Sequence, residues 1–275
     1  MENVELGKEW GLFDKVVVVA GGGGAQNGIG RATALLYAKL GAQTVILDIN
    51  KEAAEETARL INSFTEEAAA VWQVDITDED AVGRAVKEIE AKYHRVDVWA
   101  QIVGGHAGST LIEDTPLTVW RANIELNLTG AFICSRAILP VMKRQRRGKI
   151  VLLSSMAGRG LGYTTSADYP ASKAGIVTFA RQLAFEAGPF NINVNAIAPG
   201  PTHEPNPEKD GKDVRLSMAP LGRLARPEDQ ARAIVFLSSS WAEMITGMTL
   251  DVDGGLYISN MDYTTYLVKH SCPVN

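Results

Sequence analysis

Cysteine is nearly absent from the chain: Cys134 and Cys272 are the only two in 275 residues. Two thiols so placed give neither a disulfide framework nor a metal-ligand spacing, so no metal site is expected. Cys134, inside the apolar run "TGAFICSRAILP", reads as a small buried hydrophobe rather than a nucleophile. Base is not in excess either. The formal net charge is −5, which leaves no electrostatic footprint for DNA or RNA. The locally basic "KRQRRGK" (143–149) reads as a solvated helix end closed by Gly148, its cations in the last turn where the helix dipole favours them. Long apolar runs are missing: no stretch approaches the roughly 18 residues that span a bilayer. The leading "MENVELGKEWGLFD" carries acids where a signal peptide carries bases. The expectation is a soluble, cytoplasmic protein with no membrane or nucleic-acid partner.

What is present is a large apolar fraction, 46%, enough for one compact domain over 1–275. Seven short apolar runs recur: "KVVVVA" (15–20), "TVILD" (44–48), "AVWQVD" (70–75), "VDVWAQIV" (96–103), "KIVLLS" (149–154), "INVNAIA" (192–198) and "MTLDV" (248–252). Several are apolar at nearly every position, as strands covered by helices on both faces must be. Helical stretches such as "GRATALLYAKLG", "DEDAVGRAVKEIEAKYH" and "RPEDQARAIVFLSSS" lie between them. The pattern predicts an α/β fold with a doubly wound, seven-stranded parallel sheet of Rossmann type. The Pro-, Gly- and charge-rich segment 199–227 reads as a lid over a ligand cleft, and 258–275 as a C-terminal tail without clear period.

The first strand runs into "GGGGAQNGIG" (21–30), which opens a helix. A glycine-rich turn there sets backbone N–H groups and the positive end of a helix dipole against a phosphate. Glycine is required because a Cβ keeps a pyrophosphate away from the backbone. "TVILD" ends in Asp48, 18 residues past Gly30, where a carboxylate accepts both adenosine ribose hydroxyls and repels a 2′-phosphate. That favours NAD over NADP. Asp75 ends the third run and either reaches the adenine edge or caps the next helix.

In "ADYPASKAG" (167–175) Tyr169 and Lys173 stand one helical turn apart on one face. Pro170 is compatible with a helix if it falls in the first turn. A free phenol has a pKa of about 10, and service as a base near neutrality needs a drop of roughly three units, about 4 kcal/mol. An ammonium beside it, together with the positive ring of an oxidised nicotinamide, has the right sign, so the phenol is expected to titrate low and act as general acid/base. Ser155, with Ser154 as the weaker candidate, is expected to hold the substrate oxygen.

These stretches together resemble the short-chain dehydrogenase/reductases, in the branch of about 250 residues. The resemblance runs over roughly residues 11–257. It rests on "NGIG", Asp48, "VDI" (74–76), "NLTGAF" (127–132), "SSMAG" (154–158), "YPASKAG" (169–175), "NVNAIAPGPT" (193–202), "RLARPEDQA" (223–231) and "ITGMTLDVDGG" (245–255). It implies Tyr169 as proton donor/acceptor, with Lys173 lowering its pKa and binding the nicotinamide ribose. Ser155 would orient the substrate, and Asn127 would hold the water that links the lysine to solvent. The cofactor would lie along Gly21, Gly22, Asn27, Gly28, Ile29 and Gly30, then Asp48 with Ile49, Asp75 with Ile76, Val103 with Gly104, and finally Pro199, Gly200 and Thr202 beside the nicotinamide. It also implies a homotetramer built through the helices around 116–143 and 168–186 and the last strand.

Three departures stand out. Ala20 replaces the usual Thr, and the first turn is about three residues longer than usual. Gln101-Ile102-Val103-Gly104 replaces Asn-Asn-Ala-Gly, and Ser155 lies 14 residues before Tyr169, one more than is common. The resulting reading is an NAD-dependent oxidoreductase interconverting a secondary alcohol and its ketone, with His106, Ser155, Arg159 and Tyr163 facing substrate. The alternatives are a 3-oxoacyl thioester reductase using NADPH and, outside catalysis, a nucleotide-binding sensor or scaffold.

Overall fold

The computed structural model describes residues 2–24, 28–65, 69–106, 108–160, 165–203 and 213–259. Two expected site residues, Asn27 and Tyr163, lie outside these, as do residues 204–212 of the lid and the tail from 260 onward. The strands are β1 (Val16–Ala20), β2 (Gln43–Asp48), β3 (Ala70–Gln73), β4 (Val98–Gln101), β5 (Gly148–Leu153), β6 (Ile192–Pro199) and β7 (Thr249–Val252). All pair in parallel, in the order β3-β2-β1-β4-β5-β6-β7. The expected seven-stranded Rossmann-type sheet is what forms.

Strand β1 shows why these runs are apolar throughout. Val16, Val18 and Ala20 join the core on one face of the sheet, and Val17 and Val19 the core on the other. Adjacent side chains point to opposite faces, so a strand covered twice has no position left for a polar residue. The edge strands β3 and β7 are only partly buried.

The helices are α1 (Glu2–Glu9), α2 (Ile29–Lys39), α3 (Lys51–Asn62), α4 (Glu79–Tyr93), α5 (Leu117–Ile124), α6 (Gly130–Gln145), α7 (Asp168–Ala187), α8 (Val214–Met218) and α9 (Pro227–Ser238). Asn50 caps α3 and Asp78 caps α4, each accepting the N–H of the third residue onward. Asp75 therefore is not the cap of α4; its carboxylate closes a turn on the N–H and hydroxyl of Thr77. Pro170 falls in the first turn of α7, where no intrahelical donor is lost. Helices α5 and α6 are joined by a π-turn, Glu125–Thr129. The continuous stretch Leu117–Gln145 has the length and mean hydropathy of a membrane span. It is a core helix here, with Ile133, Cys134, Ile138 and Met142 buried against the sheet. Burial pushes the Cys134 thiol up to about 12, in keeping with an inert packing residue.

The basic run ends α6, but not by the expected route. Arg146 takes the left-handed conformation at φ 53°, and Gly148 opens β5 packed on Met142. Its cations are largely engaged: Arg144 with both oxygens of Glu90 at 2.7 and 2.9 Å, Arg147 with Asp97 at 3.6 Å, Lys149 with Asn193 at 2.8 Å.

Candidate active site

Strand order reverses between β1 and β4, and a crevice opens at that point beyond the carboxyl ends of the strands. It holds about 350 Å³; Asp75, Ile76, Asp48, Ile49 and Asn50 line it beyond β3 and β2, Gly21, Gly24 and Gly30 beyond β1, and Val103 and Gly104 beyond β4, with Leu126. The turn feeding it excludes side chains. A Cβ on Gly30 falls 1.8 Å from the Gly21 carbonyl oxygen, and one on Gly21, at φ +88°, falls 2.9 Å from the Val103 nitrogen. Of the early glycines, Gly21 and Gly24 line the crevice, while Gly22 faces Ile46 and the sheet. Gly28 precedes α2 at φ 73°, a left-handed turn that brings the first-turn N–H groups of α2 to the glycine loop. Ile29 is buried among the core residues behind them.

Asp48 Oδ2 accepts the Gly23 N–H at 2.9 Å and Oδ1 the Asn50 N–H at 3.0 Å. A carboxylate offers about four acceptor sites, so two remain for ribose hydroxyls. The glycine cradle, the N-terminus of α2 behind it and the Asp48 carboxylate on the crevice lining therefore fit a dinucleotide. Its pyrophosphate would meet α2 and its adenosine ribose Asp48. Pro199 ends β6, and Gly200 and Thr202 follow it. Thr202 Oγ1 donates to the Gly200 carbonyl at 2.9 Å and accepts from Gln230 at 3.1 Å.

Near Gly104 the crevice meets the start of α7. Lys173 is 1% exposed and its Nζ donates to the Leu153 carbonyl at 2.8 Å. It also lies 5.7 Å from the Tyr169 ring centroid. A Cβ on Gly104 would sit 2.5 Å from that Nζ and 2.9 Å from Asn127 Oδ1. Asn127 is carried inward on the π-turn, a feature that recurs at functional sites. Its amide clasps Gly105, donating to its carbonyl at 2.8 Å and accepting its N–H at 3.1 Å. The two serines separate. Ser154 Oγ is turned back to the Lys173 carbonyl at 2.8 Å, whereas the Ser155 hydroxyl faces the Tyr169 phenol closely enough to lower its pKa and accepts the Ala157 N–H at 3.1 Å.

The expected low phenol pKa is not what this arrangement produces by itself. Burial raises the Tyr169 pKa above its usual value, and the neighbouring Ser155 hydroxyl offsets only part of that rise. Burial also pushes Lys173 down to about 7, because its ammonium has a carbonyl but, among the described residues, no carboxylate to face. The cation meant to activate the phenol is itself suppressed by desolvation, so the lysine alone does not supply the shift.

On the other side of Tyr169, His106 packs with its ring centroid 5.3 Å from that of the phenol. It borders a second cavity of about 430 Å³ along α5. Arg159 points elsewhere: its guanidinium pairs with Asp251 at 3.4 Å and lies over the Tyr257 ring. Gln101, in place of the first asparagine of the usual tetrad, accepts the Trp99 indole N–H at 2.9 Å. It thereby ties its own strand together rather than bracing a neighbour.

Sequence reasoning missed Gly24, Asn50 and Leu126, which line the crevice, and Asn123. The last is 5% exposed, and its carbonyl accepts the Asn127 amide at 2.9 Å. The available signal was its spacing, one turn before Asn127 on the same helix face.

A family model described as enoyl-(acyl carrier protein) reductase matches residues 23–257. The chain is similar to a cis-4-hydroxycyclohexanecarboxylate dehydrogenase of Sinomonas cyclohexanicum, 38% identical over 88% of this chain and 96% of the relative. It is also similar to an NAD-dependent glycerol dehydrogenase of Listeria innocua, 37% identical over 91% and 97%. A solved 3-oxoacyl-[acyl-carrier protein] reductase with bound NAD from Brucella melitensis superposes with a TM-score of 0.81 at 32% identity, covering 89% of this chain and 92% of that one. With this sheet order, this crevice and these likenesses, the chain belongs to the short-chain dehydrogenase/reductase family of oxidoreductases, whose members act on CH–OH groups with NAD(P).

Proposed function

We propose that the chain oxidises a secondary alcohol to its ketone, reversibly, with NAD. The observation that carries this reading is the meeting of Tyr169, Ser155 and buried Lys173 at the end of a crevice whose far end presents Asp48. When bound, NAD supplies the hydride acceptor and a positive ring near the phenol. Ser155 Oγ holds the substrate oxygen, and Tyr169 Oη takes its proton. Lys173 orients the ribose and, once partnered, favours the phenolate. Asn127 keeps the Gly105 backbone and the lysine in register. His106 is the substrate-side group of this proposal rather than Arg159, which Asp251 and Tyr257 already engage. A sensor has no use for a buried lysine set against a phenol.

The NADPH-linked thioester reductase is the weaker reading. Asp48 opposes a 2′-phosphate, and the Brucella relative of that activity was itself solved with NAD. The test follows absorbance at 340 nm near pH 9 with NAD or NADP and a panel of secondary alcohols. Formation of NADH that is lost in Tyr169→Phe, with NAD binding retained, is the expected result. Turnover preferring NADP, or persisting without the phenol, overturns the proposal.

A further inference from the structure

The cavity beside the phenol has a polarity of its own. His106, Thr118, Val119, Ala122, Asn123 and Leu126 border it, and none of these carries a fixed charge. Asn123 is nine-tenths buried and its orientation is imposed from behind. Its Nδ2 donates to Asp168 Oδ2, and Asp168 is wholly buried at the first position of α7, next to Tyr169. Burial acts to raise the Asp168 pKa. The Asn123 amide and the polar groups at the start of α7 outweigh it, and the net shift is downward. An ionised carboxylate only accepts, so the amide nitrogen of Asn123 must face it and Oδ1 must face the other way. Among the described residues nothing donates to that oxygen.

His106, on the same lining, is tied to its own loop. Its Nδ1 lies 3.4 Å from the Gly108 carbonyl. A carbonyl cannot donate, so Nδ1 bears a proton and donates to it. Asn123 Oδ1 thus gives the cavity a fixed acceptor, and no lysine or arginine lines it among the described residues.

We infer that this cavity receives a second hydroxyl of the substrate, donated to Asn123 Oδ1, so that the preferred substrate is a neutral diol or polyol rather than a hydroxy acid, a phosphate ester or a simple alcohol. The inference rests on the alcohol-oxidation reading above and adds the substrate class. Asp168 is on this view a positioning residue: it touches no substrate and acts by fixing which end of the Asn123 amide faces the cavity.

The experiment compares trans-cyclohexane-1,2-diol with cyclohexanol as substrates for the full chain with NAD, by kcat/KM. The wild type is expected to favour the diol about tenfold, the worth of one net buried hydrogen bond. Asn123→Ala and Asp168→Asn should each shrink that ratio to about twofold, the second because a neutral amide no longer dictates the Asn123 orientation. A ratio cancels the amount of folded enzyme, so a merely structural role for either residue leaves it unmoved. A wild-type ratio near one, or a tenfold ratio surviving both substitutions, overturns the inference while the Tyr169-dependent oxidation of cyclohexanol stands. Failure of the wild type to oxidise either alcohol overturns the underlying reading as well.

Discussion

At the amino edge of the sheet Asp97 is buried with its charge met on several sides, whereas at the carboxyl edge Lys173 is buried facing one carbonyl. Asp97 Oδ2 accepts the Val16 N–H at 3.0 Å, and its other oxygen pairs with Arg95 and, at 3.6 Å, with Arg147. Lys173 has the Leu153 carbonyl and no described carboxylate. The two groups are similarly buried, at 6% and 1% exposure, but only the compensated one is explained by structure. An unpaired buried cation costs stability, and its persistence marks a place where something else is meant to supply the missing partner.

The comparison is broken most decisively at the phenol. Tyr169→Phe is expected to lower kcat for alcohol oxidation about a thousandfold, within the usual range for a general acid/base, with NAD binding by tryptophan fluorescence little changed. A loss below tenfold would put the proton elsewhere.

The lysine gives the next largest effect, and it is a stability effect with a definite sign. Folded Lys173 titrates near 7 against an ordinary 10.5, so the folded state carries the cost of losing that proton affinity in full below about pH 7. It sheds the cost as pH approaches 10.5. Wild type should therefore gain stability relative to Lys173→Met between pH 7 and 10, by up to about 4 kcal/mol. Urea denaturation of both proteins across that range measures it, and a flat difference would mean that the ammonium is better solvated than its burial implies.

Asp97→Ala should cost about 3 kcal/mol of stability, since it strands two arginines and the Val16 N–H. Turnover per folded molecule should stay as it was, and a change in kcat would erase the distinction between the two edges. Asp48→Ala should reduce the preference for NAD over NADP about tenfold in kcat/KM; an unchanged preference moves the ribose contact to another group. Arg144→Ala, which breaks an exposed pair with Glu90, should leave Tm unchanged within error.

Much of this molecule can be read along the chain because its signals are local. Seven apolar runs became seven strands, since burial on both faces leaves a composition mark on each run separately. Tyr169 and Lys173 share a helix face by spacing alone. The closing residue of α6 was misjudged for the same kind of reason: Gly148 looks like a terminator, but Arg146 turns the chain because Gly148 is needed small against Met142.

What the amino-acid order determined by itself is the layered sheet, the glycine turn at its switch point and the chemical identity of the phenol, ammonium and hydroxyl, because periodicity and residue type are properties of neighbours in sequence. Only the tertiary structure decided that Ser155 and not Ser154 meets the phenol, that Arg159 is spoken for by Asp251, that burial sets Tyr169 and Lys173 against their expected titration, and that Asp168 orients Asn123. Each of those depends on how much water is removed and which dipoles replace it, and both are set by segments far apart in the chain that only packing brings together.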